Sequence, residues 1–539
     1  MARTQKVFAV RARGPFRRLK TLLGLAAFVI PLAVYLASLD GDVAFWDTAE
    51  MNTVPYMLGI AHPNGFPSET LLGWIFSHAV AFGEVSFRLA VLNALEVAGA
   101  AALAYAFVIA ETGSALLGLF SALGFALSPV VWQHANHTDD FGLTVLLSAA
   151  VVLLVRRWWC GGDGRAVLIA AALAGLAAGT HGAVVFFVAA PAAVAIVLAL
   201  RRSPMLAAAS IAIFALVALA VYAYLPLRSS YVVAHRLDPT LAVGLPPGRP
   251  FWDWGDPRTA SGFVRLVTGW QFSAPDALRA YARPSLFVAA VGFGLRALRE
   301  AAGLPFLIFV LALSAASGVR YWALTLYLLA PTALVTPFVA SFSAEPDPTR
   351  YYMFPLWGLW TAAALGVDAL LHRFSWPQRT LTGALACAIL ALTLSEIYAG
   401  RALFVQRSDR LGFNYLDALT SQTPANSIVV APWQYATPIA YALYVQERMT
   451  SSILAPGEAD EMADRIPQWL TKYNVVAISE QHPVSNVFVA KYVCNFNVLP
   501  GSSHDPKLYR ILPPGRSVEP VARSMTLCAN QTPLSAKRR

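Results

Sequence analysis

Long apolar runs constrain this chain more than any other feature. They fall at about residues 21–39, 87–110, 114–131, 141–155, 165–180, 182–200, 205–226, 284–298, 303–318, 352–371 and 379–398. Each is near the ~20 residues that a helix needs to cross a bilayer. In hydrocarbon every backbone amide must be satisfied within its own helix, so the runs predict a polytopic α-helical membrane protein with about 11–12 spans. The chain is 57% hydrophobic and only 13% charged, where a soluble protein would carry roughly 25% charged residues.

The net charge of +10 has a distribution that argues against nucleic acid as a partner. Arg3, Lys6, Arg11, Arg13, Arg17, Arg18 and Lys20 precede the first run with no acidic residue among them. That is a cytoplasmic anchor (residues 1–20) able to touch anionic headgroups. The first run is too long for a signal-peptide core and lacks a clear small-x-small cleavage site, so it reads as a retained anchor of a cell (inner) membrane protein. Arg156-Arg157, Arg201-Arg202, Arg296 with Arg299, and His372-Arg373 with Arg379 mark further cytoplasmic ends. This scheme places the loops 40–86, 132–140 and 227–283, and the whole tail, on the extracytoplasmic side of a transmembrane domain spanning 21–399. Residues 319–342 are apolar enough to cross, but Pro331 and Pro337 interrupt a helix. A re-entrant or tilted segment is expected there.

From about 400 the composition changes. Ser427–Ala431, Ser451–Ala455 and Asn474–Ser479 read as short buried strands, with helical patterns between them at 436–447 and 459–472. A small extracytoplasmic α/β domain over 400–515 with some parallel pairing follows, and residues 516–539 read as a disordered tail. The domain holds no Gly-rich phosphate loop. Cys160 and Cys387 lie beside or within apolar runs, whereas Cys494 and Cys528 both fall in the tail region, and the spacing leaves their pairing open.

Acidic and histidine residues gather in the expected outside loops. Asp40 and Asp42 follow the first run, where they would terminate it and keep the loop wet. Asp47 and Glu50 are three apart and share a helix face, either as a capping box or with Asp47 as a general base toward an attacking hydroxyl. His62-Pro63-Asn64-Gly65-Phe66-Pro67 cannot be regular helix and makes a shaped turn. Trp132 through Asp140 holds His134, His137 and Asp139; a metal there is the less favoured reading, because such spacing is common in solvated loops. His181 sits between two apolar runs, where an ionisable group is by default functional. Arg228 can clamp a phosphate or snorkel. Trp254 and Asp256 belong to a rigid aromatic turn, and Arg350 opens the tenth run in the same compartment.

Taken together these residues resemble the protein O-mannosyltransferase-like membrane family of the GT-C superfamily of polyprenyl-phosphate-sugar glycosyltransferases. Asp47-Thr-Ala-Glu50 stands where that family has Asp-Ser-Gly-Glu, and Leu58-Gly-Ile-Ala-His62-Pro-Asn-Gly-Phe-Pro67 is similar to its Leu-Gly-Ile-Ala-His-Pro-Pro-Gly-Tyr-Pro. Trp132 with Asp139, Gly179-Thr-His181, Tyr224-Leu-Pro-Leu-Arg228, Trp254-Gly-Asp-Pro257 and Val267-Thr-Gly-Trp-Gln271 resemble later landmarks in order. Asn64 for proline, Ser68-Glu69 for Leu-Tyr and Asp139 for glutamate are departures. The resemblance implies an inverting glycosyltransferase. It would use a lipid-phosphate-linked sugar as donor, mannose by the family's name, and an extracytoplasmic protein or glycan as acceptor. Asp47 would be the base with Glu50 beside it. Glu50 and Asp139 would position acceptor or donor, and His62, His181 and Arg228 would surround the phosphate; Trp254, Asp256 and Arg350, in the same compartment, are further substrate-binding candidates, and no metal is expected. A flippase of lipid-linked glycans would place ionisable residues near the membrane midplane, and a scaffold would have no use for the acidic loop.

Overall fold

The computed structural model describes residues 15–272, 278–341, 347–373, 378–498, 505–515 and 527–528. It is a bundle of helices capped at one end by loops, short helices and a small sheet. In order the bundle contains α1 (Pro15–Ser38), α2 (Trp46–Met57), α3 (Pro67–Ala79), α4 (Val85–Thr112), α5 (Ala115–Ala126), α6 (Pro129–Ala135), α7 (Gly142–Gly161) and α8 (Gly164–Ala178). There follow α9 (Val184–Arg202), α10 (Pro204–Tyr222), α11 (Tyr224–His235), α12 (Ala260–Val267), α13 (Pro284–Ala302), α14 (Leu304–Ser341), α15 (Met353–Arg373) and α16 (Gln378–Ala399).

Among the described residues, seven helices are long and apolar enough to cross a membrane, or nine if each bent pair is one span. One such pair is α5 with α6, bent by 69° next to Pro129, whose ring fits the first turn of a new helix but not the interior of an old one. The 15-residue α8 packs between α7 and α10 as a shorter traverse. Ala- and Gly-rich faces let these helices approach closely: a Cβ on Gly175 would strike Val217, and one on Gly124 would strike Trp360.

Two expectations in the 284–342 region need correcting. The apolar stretch 304–341 is one helical segment broken at Tyr321 (φ −119°, ψ 30°), and its two limbs run oppositely along α15. Before the break, Ser314 Oγ donates to Leu359 O (3.0 Å) and Arg320 reaches Asp368 (3.9 Å). After it, Gly358 abuts Leu328 O and the Thr336 hydroxyl meets that of Tyr352 (3.1 Å). Beyond the break at Tyr321, the described residues to Ser341 are therefore continuous helix, not a re-entrant loop. Pro331 and Pro337 are tolerated because the packed neighbours α9, α13 and α15 shield the backbone they free.

The run at 284–298 does not cross. Tyr281, just before α13, donates to Leu334 O, and Gly294 faces Thr336 and the Tyr352 hydroxyl, all at the loop-bearing end. Helix α13 lies along that end with Ala290, Ala297, Leu298 and Ala301 buried, while Arg296, Arg299 and Glu300 are set apart from that face. Its basic residues thus belong to the loop-bearing end and not to the opposite one. The two corrections offset each other: the sheet region still lies on the same end as the first loop, where Tyr441 Oη accepts from Ser86 N (3.1 Å).

The C-terminal region carries α17 (Arg401–Gln406), α18 (Leu411–Gln422), α19 (Trp433–Tyr444) and α20 (Ile466–Trp469) around a five-stranded sheet of order β2-β1-β3-β5-β4. Strands β1 (Ser427–Ala431), β2 (Ile453–Pro456) and β3 (Asn474–Ser479) pair in parallel, as their hydrophobic runs imply. Two further strands, β4 (Val489–Asn495) and β5 (Lys507–Leu512), add antiparallel. Cys494 and Cys528 form a disulfide. The tail expected to be disordered, 516–539, lies outside the described residues except at 527–528. Asp42 is buried, not wet: its carboxylate accepts the amides of Gly412 (2.7 Å) and Phe413 (3.0 Å) at the start of α18. It thereby ties the first loop to the sheet region, a favourable place for an anion.

Candidate active site

Helix α2 begins at Trp46, with Phe45 rather than Asp47 at the cap and no side-chain capping bond. The capping-box reading of Asp47 and Glu50 is therefore not realised, and both carboxylates are spent elsewhere. Glu50, fully buried, accepts the backbone amide of His62 (2.9 Å) through Oε1 and pairs with His62 Nδ1 through Oε2. This bond pins the 62–67 turn against α2, and it needs the twelve-residue interval that the sequence provides. Asp47 is half-buried and meets Arg350 Nη2 at 3.0 Å. The other amine of Arg350 lies 3.5 Å from Asp140 Oδ1. Its guanidinium also sits 5.5 Å over the Phe141 ring.

These groups open on a cavity of about 320 Å³ whose wall includes Asp47, His62, His181, Phe338, Arg350 and Trp433. His181 Nδ1 accepts from Ala183 N (3.0 Å) and its Nε2 lies 4.0 Å from Asp140. Trp433 comes from α19 of the sheet region. It stacks on Phe251 (5.3 Å), stands edge-on to Trp254 (4.6 Å) and lies 6.3 Å from the His62 ring. The C-terminal region thus completes one wall, which nothing in its own sequence signals. A second pocket, of about 280 Å³, touches the first through Pro63 and is lined by Trp254, Thr259, Arg265 and Gln271 among others.

Burial raises the Asp47 carboxyl, but the charges of His62 and Arg350 outweigh it and hold the group below its ordinary value. Burial opposes protonation of His62, yet Glu50 and Asp47 push it up to about 9. Asp140 is pushed to about 7 by burial, against the pull of Arg350. Burial, then Arg350 and His62, drive His181 well below its usual range, so it stands uncharged. At neutral pH the cavity therefore presents an ionised Asp47 beside two cations, Arg350 and His62, and a neutral His181 that can hydrogen-bond but adds no charge.

Not every expected residue converges here. Asp139 is buried behind Asp140, its oxygens taken by His134 Nδ1 (2.7 Å) and Phe141 N (2.8 Å). Burial raises its pKa, but His134 and Arg350 more than reverse this. Arg228 donates to Met57 O (3.0 Å) and lies over the Tyr231 ring, off the cavity wall. Asp256 pairs with Arg258 (2.6 Å) on the far side of the aromatic turn. Trp254 is close, with its ring 6.1 Å from His62 and its indole N–H on Gln271 (2.8 Å). Asp140, Asp347, Tyr351 and Trp433 were not singled out as site residues, although the Asp139-Asp140 and Asp347-Pro-Thr-Arg350 strings contained the first two.

Among the described residues, two sets of side chains bring three possible metal-ligand atoms within 4.8 Å of one another: Asp47, Glu50 and His62, and His134, His137 and Asp139. In the first set the Arg350 guanidinium already occupies Asp47 at 3.0 Å, and a fixed cation against a donor atom makes that set poorly suited to a metal ion.

Residues 47–206 match the family described as the protein O-mannosyl-transferase TMEM260 N-terminal domain. Mouse protein O-mannosyl-transferase TMEM260 is 32% identical over 133 residues, 25% of this chain and 19% of its own length. The Dictyostelium discoideum protein O-mannosyl-transferase tmem260 is 27% identical over 124 residues, 23% of this chain and 15% of its own. The chain thus matches less than a fifth of the length of these curated relatives. ArnT from Cupriavidus metallidurans, in a crystal structure bound to undecaprenyl phosphate, shares the fold with a TM-score of 0.54 at 12% identity. That match covers 91% of this chain and 97% of ArnT. Residues 47–206 are thus similar to the TMEM260 N-terminal domain, on a chain that shares the ArnT fold.

Proposed function

We propose that the chain is a membrane glycosyltransferase that moves a sugar, mannose by the family's name, from a polyprenyl-phosphate donor to an extracytoplasmic hydroxyl acceptor. The observation that carries this reading is the ionised Asp47 on the cavity wall with Arg350 at 3.0 Å and protonated His62 alongside. Transfer needs a base for the acceptor proton and positive charge for the departing phosphate. Both are within one cavity.

In this reading the acceptor oxygen attacks the anomeric carbon from the face opposite the phosphate. The bond to the lipid phosphate breaks as the new glycosidic bond forms, and the configuration inverts. The acceptor proton passes to Asp47, and the lipid phosphate leaves with its negative charge facing Arg350 and His62. An incoming phosphate competes with Asp47 for Arg350, since guanidinium binds phosphate bidentately. Donor binding then frees Asp47 and raises its basicity at the moment a base is needed. Glu50 acts by holding His62 in place. The apolar rims, Phe338 and Phe186 among them, suit the first units of a polyprenyl chain. ArnT's complex with undecaprenyl phosphate supports the donor class, and the TMEM260 relatives support the sugar and a protein hydroxyl as acceptor. The basic first segment, the positions of Arg156 and Arg202 at the opposite end and the Cys494–Cys528 disulfide support an extracytoplasmic site end.

The test is intact mass of extracytoplasmic glycoproteins and glycolipids from cells with and without the gene. Loss of a hexose-sized mass on deletion, restored by the wild-type chain, is the expected result. An unchanged glycan profile under conditions of confirmed expression contradicts transfer and leaves lipid-linked glycan translocation or scaffolding to explain the fold.

A further inference from the structure

Beside the cavity but not on its wall, the second loop presents a built donor set. His134 ends α6, His137 follows by one turn and Asp139 two residues later, and their ligand atoms lie within 4.8 Å of one another. His134 Nδ1 is 2.7 Å and His137 Nε2 3.9 Å from the same oxygen, Asp139 Oδ2. A tetrahedral zinc with bonds of 2.0–2.1 Å spaces its ligands by about 3.3 Å, between the two separations from Asp139 Oδ2.

The surroundings fix each ligand, as outer partners do at metal centres. His134 turns its other nitrogen toward Asp347 Oδ2 (3.3 Å), a carboxylate–histidine pair. His137 Nδ1 rests on Asn136 Oδ1 (3.2 Å). Asp139 Oδ1 holds the Phe141 amide (2.8 Å). The loop backbone is clamped by Asn93, whose side-chain amide donates to both His134 O and His137 O at 2.6 Å. His134 and Asp139 are buried, while His137 and Asp347 are the accessible edge, giving an ion a way in.

We infer that His134, His137 and Asp139 form a site for one divalent transition-metal ion, zinc by its two-imidazole, one-carboxylate donor set. Binding exchanges the proton between His134 and Asp139 for the metal and strengthens the His134–Asp347 link. Asp347 is three residues before Arg350, so the ion braces the strand of chain that carries Arg350 to Asp47. It positions the catalytic pair and does not touch the substrate.

The experiment uses the full chain purified in detergent, stripped with a chelator and titrated with zinc, and separately with cobalt, followed by elemental analysis, melting temperature and visible absorption. The wild type should take up one equivalent of zinc with a raised melting temperature, and cobalt should give the intense visible bands of a low-coordinate site. His137→Ala should weaken uptake at least tenfold, and Asp347→Asn by about 10–100-fold, while His62→Ala should retain it. No stoichiometric uptake by the wild type, or uptake lost in His62→Ala but kept in His137→Ala, overturns the assignment. Should His137→Ala misfold, the cobalt spectrum of the wild type decides: octahedral, water-like bands contradict the site.

Discussion

Two acid–histidine clusters lie side by side at one end of this bundle, built from the same residue types, yet they face different things. Asp47, Glu50, His62 and Arg350 border a cavity, with Asp47 and His62 on its wall. His134, His137, Asp139 and Asp347 surround one another behind it. What separates them is where the leftover bonding capacity points. In the first cluster Glu50 spends both oxygens on His62, leaving Asp47 and Arg350 to the cavity. In the second cluster each ligating residue has a neighbour on its far side. In the proposed reading, chemistry belongs to the first, and support of the segment carrying Arg350 to the second.

The largest effect on the folded state should come from Glu50→Leu. It leaves the His62 charge buried without its partner, at a cost of about 3–5 kcal/mol, read as a melting temperature several degrees lower together with loss of activity. A stability change of less than about 1 kcal/mol would mean that Glu50 is not the anchor of His62.

Arg350→Leu comes next. It removes the cation from Asp47 and from the phosphate, so turnover should drop by about 100–1,000-fold with weaker donor binding. Rates within threefold of wild type would remove Arg350 from the site.

The pH dependence separates the clusters further. The His62 pKa is raised to about 9 from about 6.5 unfolded, so its stabilisation is complete below about pH 6.5 and is lost as pH rises through about 9. Melting temperature and kcat/KM should both decline above about pH 8.5. In His62→Gln that decline should flatten. Asp47 is held below its ordinary range, so it stays ionised throughout and adds no acid limb near neutrality.

His137→Ala should lower turnover less than tenfold under chelating conditions, because the ring lies off the cavity. The smallest effect is expected of Asp256→Asn, since its partner Arg258 is more than a third exposed. Pairs of that kind contribute about 0–1 kcal/mol, and activity should be unchanged.

The first cluster was partly legible in the sequence because Asp47, Glu50 and His62 are local, and their interval fixes how the turn folds back on α2. Arg350, 303 residues from Asp47, was reachable only through its compartment. Trp433 was invisible: its role depends on α19 docking against α2, a packing event that no periodicity encodes. Segment 284–298 matched a spanning run in length, yet α13 lies along the loop end with its charges grouped. The division near Tyr321 was legible as the boundary between 303–318 and 319–342, but the second limb was read as re-entrant or tilted because Pro331 and Pro337 interrupt an isolated helix, whereas packed neighbours shield the backbone they free. Strands β4 and β5 were missed because Lys491 and Arg510 face outward and break their apolar patterns. Asp42 looked like a solvated loop residue, whereas its partners are backbone amides about 370 residues away.

The most direct test is the initial rate of sugar transfer by Asp47→Asn, in membranes matched for protein level and from the strain whose missing glycan the wild type restores. Loss of a positioned base costs about 100–10,000-fold, with the melting temperature retained, because Asp47 is only partly buried and caps nothing. That is the result expected here. A rate within about tenfold of wild type would show that the acceptor proton goes elsewhere, and the chemistry assigned to the first cluster would fall with it.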